Sequence, residues 1–335
     1  MNKVKNKKPP FEINEKIMTY VIEIAELVGR VSVSSKISSS PTLRRTNRIH
    51  TIYSSLAIEQ NTLDIEQVTA VISGKHVIAP PKDIAEVKNA YEIYECMDSL
   101  DPYSSEDLLK AHGVMMKGLV NEAGEFRSRP VGVVDGNGNV VHFGTLPQYV
   151  PGLIQELLDW TKTGDIHMLI KSCVFHYEFE LIHPFADGNG RMGRLWHTLL
   201  LSKWNPIFAW LPIESIIHDN QSEYYNAINI SNGNGESTVF IEFMLSVIKQ
   251  ALSEADEVNT SRISPEDKSY RRWKLISDFL KEHEFITNCD VQEILSVSSS
   301  TATRILTGFT KEGKLTRRRV KSYWRYVMTN DIEER

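Results

Sequence analysis

Cysteine is scarce in this chain, with three in 335 residues. Cys96, Cys173 and Cys289 stand apart with no paired spacing, which excludes a disulfide framework and any cysteine-based zinc site. Long apolar runs are also missing. No stretch approaches the roughly 18 residues that a membrane helix needs, and the basic start Met1–Lys8 runs into Pro9-Pro10-Phe11 without the apolar segment of a secretory signal. These absences lead to the expectation of a soluble, cytoplasmic protein with no membrane partner. Charge of one sign is lacking overall, because 38 Lys and Arg stand against 43 Asp and Glu for a net −5. That near balance hides an asymmetry. Between Leu295 and Met328 eight basic residues meet one acidic residue, a local +7 that leaves −12 for everything else. A separate C-terminal module with a different kind of partner is expected from such a split.

What the chain does have is concentrated in twelve residues, His183-Pro184-Phe185-Ala186-Asp187-Gly188-Asn189-Gly190-Arg191-Met192-Gly193-Arg194. His183 is a side chain that titrates near neutrality and suits removal of a hydroxyl proton. Asp187 is the single carboxylate with which Mg²⁺ is commonly held beside phosphate oxygens. Gly188-Asn189-Gly190 permits a close backbone approach to an anion. A helix starting in this turn and running through Leu201 points its N–H groups and dipole at that anion. Arg191 and Arg194 then share its first turn. A second Asp-Gly-Asn-Gly tetrad, at 135–138, lies between the β-branched runs 131–134 and 140–143 and reads as the turn of a β-hairpin. Neither copy is a calcium loop, since the Gly and Glu positions of an EF-hand hold Val140 and Leu146, or Met192 and Thr198. Zinc is disfavoured as well: His176, Glu178, His183 and Asp187 are ligand types at the wrong spacing.

The twelve residues resemble the signature of the Fic family, H-P-F-x-D/E-G-N-G-R-x-x-R, at every fixed position. The resemblance implies a nucleotidyltransferase, a protein adenylyltransferase that moves AMP from Mg²⁺-ATP to a Ser, Thr or Tyr hydroxyl of a protein target. Carried over by position, His183 is the catalytic base and Asp187 the Mg²⁺ ligand. Gly188, Asn189 and Gly190 form the anion nest, with Arg191 and Arg194 clamping the triphosphate. Gly124-Glu125-Phe126-Arg127 and the hairpin after it stand where the family has its flap, over 126–147. Tyr224-Tyr225 resembles a pair that encloses the nucleotide base. Ser55 and Glu59, four apart on one helix face, resemble an inhibitory motif S/T-x-x-x-E-G/N placed before the core, as in the class II arrangement. Gln60 departs from that pattern at the Gly/Asn position. The implied regulation is that Glu59 pairs with Arg194 and keeps it from ATP.

The expected fold is mainly α, a Fic-type helical core with a β-hairpin flap and a C-terminal winged helix-turn-helix domain. Helices are expected over 13–31, 45–59, 64–72, 82–100, 104–119, 150–161, 166–181 and 236–255. The domain reading is an N-terminal helical region over 1–100 with the inhibitory helix near 45–59, a core over 101–258, and a winged helix over 265–330. In the last of these, helices at 270–283, 290–295 and 302–312 precede a two-stranded wing at 315–327. DNA is the partner such a module suggests, with Arg304 toward a groove and Arg317, Arg318 and Arg319 toward phosphates. A protein-binding module is the other reading of those charges. Two alternatives to the transferase therefore stand: a DNA-binding regulator whose Fic core is degenerate or secondary, and an enzyme that removes AMP with Glu59 orienting water. Self-association into a homo-oligomer is left open.

Overall fold

The computed structural model describes residues 8–34, 40–134, 140–260, 265–295, 297–320 and 323–329. Helices dominate, as the apolar spacings require. Contacts divide the chain into two compact units, Met1–Asn259 and Thr260–Arg335.

In the first unit α1 (Glu15–Ser34) is followed by α2 (Pro41–Ile58), α3 (Ile65–Ile72), α4 (Pro81–Cys96) and α5 (Ser105–Met115). Local chemistry fixes several starts. Ser40 caps α2 by accepting from the Leu43 N–H ahead of Pro41. Asp64 and Gln67 form a reciprocal capping box on α3, and Ser104 caps α5. Two ends fall short of the sequence reading. The helix expected to reach Leu100 stops at Cys96 and tightens into a 3-10 turn at Met97–Ser99. The one expected to reach Leu119 stops at Met115, and Gly118 turns the chain at φ 71°.

The hairpin follows, β1 (Gly132–Val134) antiparallel to β2 (Val140–Phe143) with a register shift at Val133/Val134. Its Asp135–Asn139 turn lies outside the described residues. Then come α6 (Val150–Thr163), α7 (Met168–Ile182) and α8 (Asn189–Trp204). Helices α7 and α8 are buried on nearly every side, the pattern of central rather than surface helices. Phe175, Phe179, Phe185, Leu195, Trp196 and Leu199 are all fully occluded. The signature therefore forms the turn between the two innermost helices. Two helices, α9 (Ile213–Asp219) and α10 (Gln221–Asn234), go beyond those expected from periodicity, and α11 (Thr238–Thr260) closes the unit.

The second unit contains α12 (Pro265–Glu282), α13 (Asn288–Leu295), α14 (Ser299–Lys311) and the antiparallel strands β3 (Leu315–Val320) and β4 (Tyr323–Met328). Ser298 caps α14, and Gly313 at φ 72° follows its last turn. An isolated bridge joins Ile286 to Tyr326. Ile276, Leu280, Val291, Leu306, Phe309 and Leu315 bury a core that belongs to this unit alone.

Candidate active site

The turn between α7 and α8 is built under backbone constraint. His183 ends α7 in the left-handed region, φ 52° and ψ 64°, where a non-glycine residue is uncommon. Arg127 holds it there. This arginine is 2% exposed and donates from Nε to the His183 carbonyl at 2.6 Å and from Nη2 to the Ile182 carbonyl at 3.3 Å. Its own N–H donates to the Pro184 carbonyl at 3.0 Å. The same guanidinium reaches the carbonyls of Arg129 and Thr145 at the base of the hairpin. One side chain thus ties the hairpin to the backbone that aims His183.

Phe185 anchors the middle of the turn. It is fully buried and stacks face to face with His112 at a centroid distance of 3.7 Å. His112 in turn accepts at Nδ1 from the Gly124 N–H at 2.9 Å, so Nε2 carries the proton that reaches the Asp187 carbonyl at 3.0 Å. Burial pushes this imidazole down to about 4 and keeps it neutral. The Asn189 side chain closes the loop, accepting from the Phe185 N–H at 2.8 Å and donating to the Phe185 carbonyl at 2.9 Å. With its amide engaged, Asn189 offers an anion its backbone N–H rather than its side chain.

Gly188, at φ 84°, precedes the first turn of α8, and no side chain caps that turn. A carboxylate already lies over it. A Cβ built on Gly190 falls 2.2 Å from Glu59 Oε1 and 3.0 Å from Arg194 Nη1. Glu59 Oε1 also accepts from Arg194 Nη2 at 2.8 Å. Ser55 joins them, its Oγ accepting from Arg194 Nε at 3.0 Å and its carbonyl from Nη2 at 2.9 Å. The Arg194 side chain is 1% exposed; burial opposes its charge, but Glu59 more than compensates and the guanidinium stays firmly protonated. Ser55, Glu59, Gly190 and Arg194, separated by up to 139 positions, thus meet in one place.

The end of α2 explains the departure at Gln60. Gln60 donates to the Ala57 carbonyl at 2.9 Å and Asn61 to the Leu56 carbonyl at 3.1 Å, which is a Schellman cap. Gln60 occupies its left-handed position at φ 66°, the place that Gly or Asn fills with least strain.

Arg191 is held by two carboxylates, Glu86 at 3.0 Å and Asp187 at 3.1 Å. Glu86 also accepts from Asn61 at 2.7 Å, joining α4, the end of α2 and the signature. Asp187 itself is half exposed, at 49%, and its Oδ1 takes the Gly188 N–H at 2.6 Å. One carboxylate of this kind, beside an anion site, suits a hydrated Mg²⁺ that shares its remaining positions with phosphate. Among the described residues no group of three or more His, Cys, Asp or Glu could hold a metal unaided.

The tyrosine pair divides. Tyr224 is 2% exposed and its hydroxyl lies 3.1 Å from His176 Nε2, whereas Tyr225 is 44% exposed. Their rings meet at 5.2 Å. Three residues that build this site, Arg127, His112 and Glu86, carried no assigned role in the sequence. Arg127 had a faint signal in Gly-x-Phe-Arg; the other two depend on contacts 75 and 105 positions away.

Residues 102–201 match the Fic/DOC family. A Fic family protein from Desulfovibrio desulfuricans G20 has a crystal structure similar to this one, with a TM-score of 0.74 and 40% identity over 96% of this chain and 98% of that chain. Residues 134–508 of Fic-1 from Caenorhabditis elegans share the fold, with a TM-score of 0.57 at 21% identity over 72% of this chain and 73% of that one. Among curated proteins, protein adenylyltransferase fic-1 of C. elegans is 31% identical over 196 residues, 54% of this chain and 36% of its own length. Protein adenylyltransferase Fic of Nematostella vectensis is 28% identical over 205 residues, 58% of this chain and 45% of its own length. The chain thus spans less than half the length of these two curated relatives.

Proposed function

This chain belongs to the Fic/DOC family, and from that premise we propose that it is a nucleotidyltransferase carrying AMP from Mg²⁺-ATP to a hydroxyl of a protein target. The observation that carries this reading is the anion site at the start of α8, where a carboxylate lies on Gly190 and against Arg194. A phosphate oxygen meets the same needs there: backbone N–H groups, the dipole end and a guanidinium.

His183, fixed by Arg127, takes the proton from the attacking hydroxyl. The first N–H groups of α8, from Asn189 and Gly190, receive the charge that builds on the α-phosphate, and Arg194 and Arg191 hold the distal phosphates. Asp187 would hold Mg²⁺, which when bound neutralises phosphate charge. Tyr225 is the exposed ring against which a base could stack, with Tyr224 packed behind it. The hairpin offers a target segment a strand edge.

Glu59 is the proposed brake. Its carboxylate occupies the position of a phosphate oxygen on Arg194, so ATP must displace it to align for transfer. Incubation with α-labelled ATP and Mg²⁺ tests the reading, the chain itself serving as one acceptor. Label should pass to protein, and His183→Ala should lower the rate by about 10²–10⁴. Full transfer by that variant would overturn the assignment.

For the second unit the proposal is DNA binding. Arg304 on α14 and Arg317, Arg318 and Arg319 on β3 are exposed, and Arg317 and Arg319 both lie against the exposed ring of Trp324, at 4.7 and 5.9 Å. A row of cations braced by an aromatic suits phosphates at a groove edge.

A further inference from the structure

The chemistry above leaves one buried carboxyl beside the site without a task. Glu180 stands on the last turn of α7, three residues before His183, with its side chain 14% exposed. Its Oε1 is occluded and meets no hydrogen-bond donor. The nearby His176 Nε2 is 4.0 Å away and is already 3.1 Å from the Tyr224 hydroxyl. A buried acceptor without a donor is costly and is uncommon unless something else completes it.

Its place along α8 bears on what could complete it. Gly190 and Gly193 share a face of the helix, about 4.5 Å apart along the axis. The Glu59 carboxylate lies over Gly190, and Glu180 lies over Gly193, where an added Cβ would fall 2.8 Å from its Oε1. Beyond Gly193 come His176, Tyr224 and Tyr225. Glu180 therefore sits one helical turn along α8 from the carboxylate over Gly190 and beside the His176–Tyr224 pair. The fields agree with this placement. Burial pushes the Glu180 carboxyl up to about 8, with Arg194 opposing that shift and Glu59 adding to it. Tyr224 and Tyr225 both sense its charge.

In a nucleotide the ribose separates the phosphates from the base. Its 2′ and 3′ hydroxyls are two adjacent O–H donors, and a carboxyl offers them an acceptor oxygen whether neutral or ionised, the two donors favouring the ionised form. We propose that Glu180 accepts the ribose hydroxyls of the bound nucleotide and is the residue that selects ribonucleotides over deoxyribonucleotides. This rests on the nucleotide-transfer reading of the site. A pocket built to bond a hydroxyl rejects the analogue lacking it, because its own polar group is then stranded.

The test is titration calorimetry of the full chain with ATP and with 2′,3′-dideoxy-ATP, each with Mg²⁺, for the wild type, Glu180→Gln and Glu180→Ala. The wild type should bind ATP at least about tenfold more tightly than the dideoxy analogue, and Glu180→Ala should reduce that ratio to within about twofold, chiefly by weakening ATP. Glu180→Gln keeps the shape and one acceptor and should fall between them. A melting curve for each variant verifies folding, and Glu180→Gln decides the matter if the alanine variant does not fold. A wild type indifferent to the ribose hydroxyls, or a variant that keeps the full ratio, overturns the role of Glu180 and leaves nucleotide transfer standing. Failure of the wild type to bind either nucleotide refutes the nucleotide reading itself.

Discussion

His183 is aimed by a residue outside the signature. Arg127 supplies donors to the carbonyls of Ile182, His183, Arg129 and Thr145, and removing it strands acceptors at about 1–3 kcal/mol for each one that stays buried. Arg127→Ala should therefore lower the melting temperature by at least about 2–4 °C and reduce the rate of AMP transfer more than it weakens ATP binding. A variant that melts and reacts like the wild type would show that the hairpin base does not position His183. Glu180 leads to a pH prediction. Its carboxyl is raised to about 8 in the fold, so the stability linked to its protonated form is fully present below the unfolded value, near 4.3, and is lost as pH rises through 8. The melting temperature of Glu180→Ala, measured against the wild type, should thus be more favourable at pH 9 than at pH 6. The groups facing it, His176, Arg194, Glu59, Tyr224 and Tyr225, are present in both proteins.

Helix α2 brings Ser55, and Glu59 just past its last turn, onto Arg194. Ser55 and Glu59 lie one turn apart and both engage Arg194, while the Schellman cap directly behind them sets where Glu59 points. Glu59→Gly should free Arg194 and raise self-modification, read as label from α-labelled ATP. Transfer no faster than wild type would remove Glu59 from regulation. Loss of the carboxylate also leaves a buried guanidinium with fewer partners, so the variant should melt earlier in the absence of nucleotide. Gln60→Gly acts in the opposite direction on stability. A residue with a Cβ spends about 1–2 kcal/mol in the left-handed region, so glycine at φ 66° should gain about 1 kcal/mol net of its greater freedom when unfolded. Its melting temperature should rise by about 2–4 °C, and an unchanged value would mean that the Gln60 side chain makes contacts of equal worth.

On the scale of the molecule, the two units keep separate cores and opposite charge. A fragment covering 260–335 has its own buried cluster and should unfold cooperatively in denaturant. Duplex DNA should bind the full chain at low salt, with an affinity that falls steeply as salt rises. Replacing Arg317, Arg318 and Arg319 should make the slope of log affinity against log salt shallower by about 2–3 if each meets a phosphate. Absence of any duplex binding at low salt would turn the second unit into a protein-interaction module and leave the first unit's reading intact. No helix among the described residues is long and apolar enough to cross a membrane.

What the sequence determined by itself was whatever depends on near neighbours. The signature was legible because its parts lie within twelve residues and a turn followed by a helix gathers them without help from elsewhere. Helix starts at Asp64, Ser104 and Ser298 were set by caps reaching three residues on, and the Ser55–Glu59 face followed from helical spacing, whereas α2, expected from 45, starts earlier at Pro41 behind its Ser40 cap. Tertiary structure decided the rest. The meeting of Glu86 with Arg191, the stacking of His112 on Phe185 and the clamp of Arg127 on His183 all depend on contacts between distant segments. Periodicity carries no information about which buried side chain another one faces. The difference between Tyr224 and Tyr225, the same residue type adjacent on one helix, was fixed only by which of them the packing of α10 turned inward.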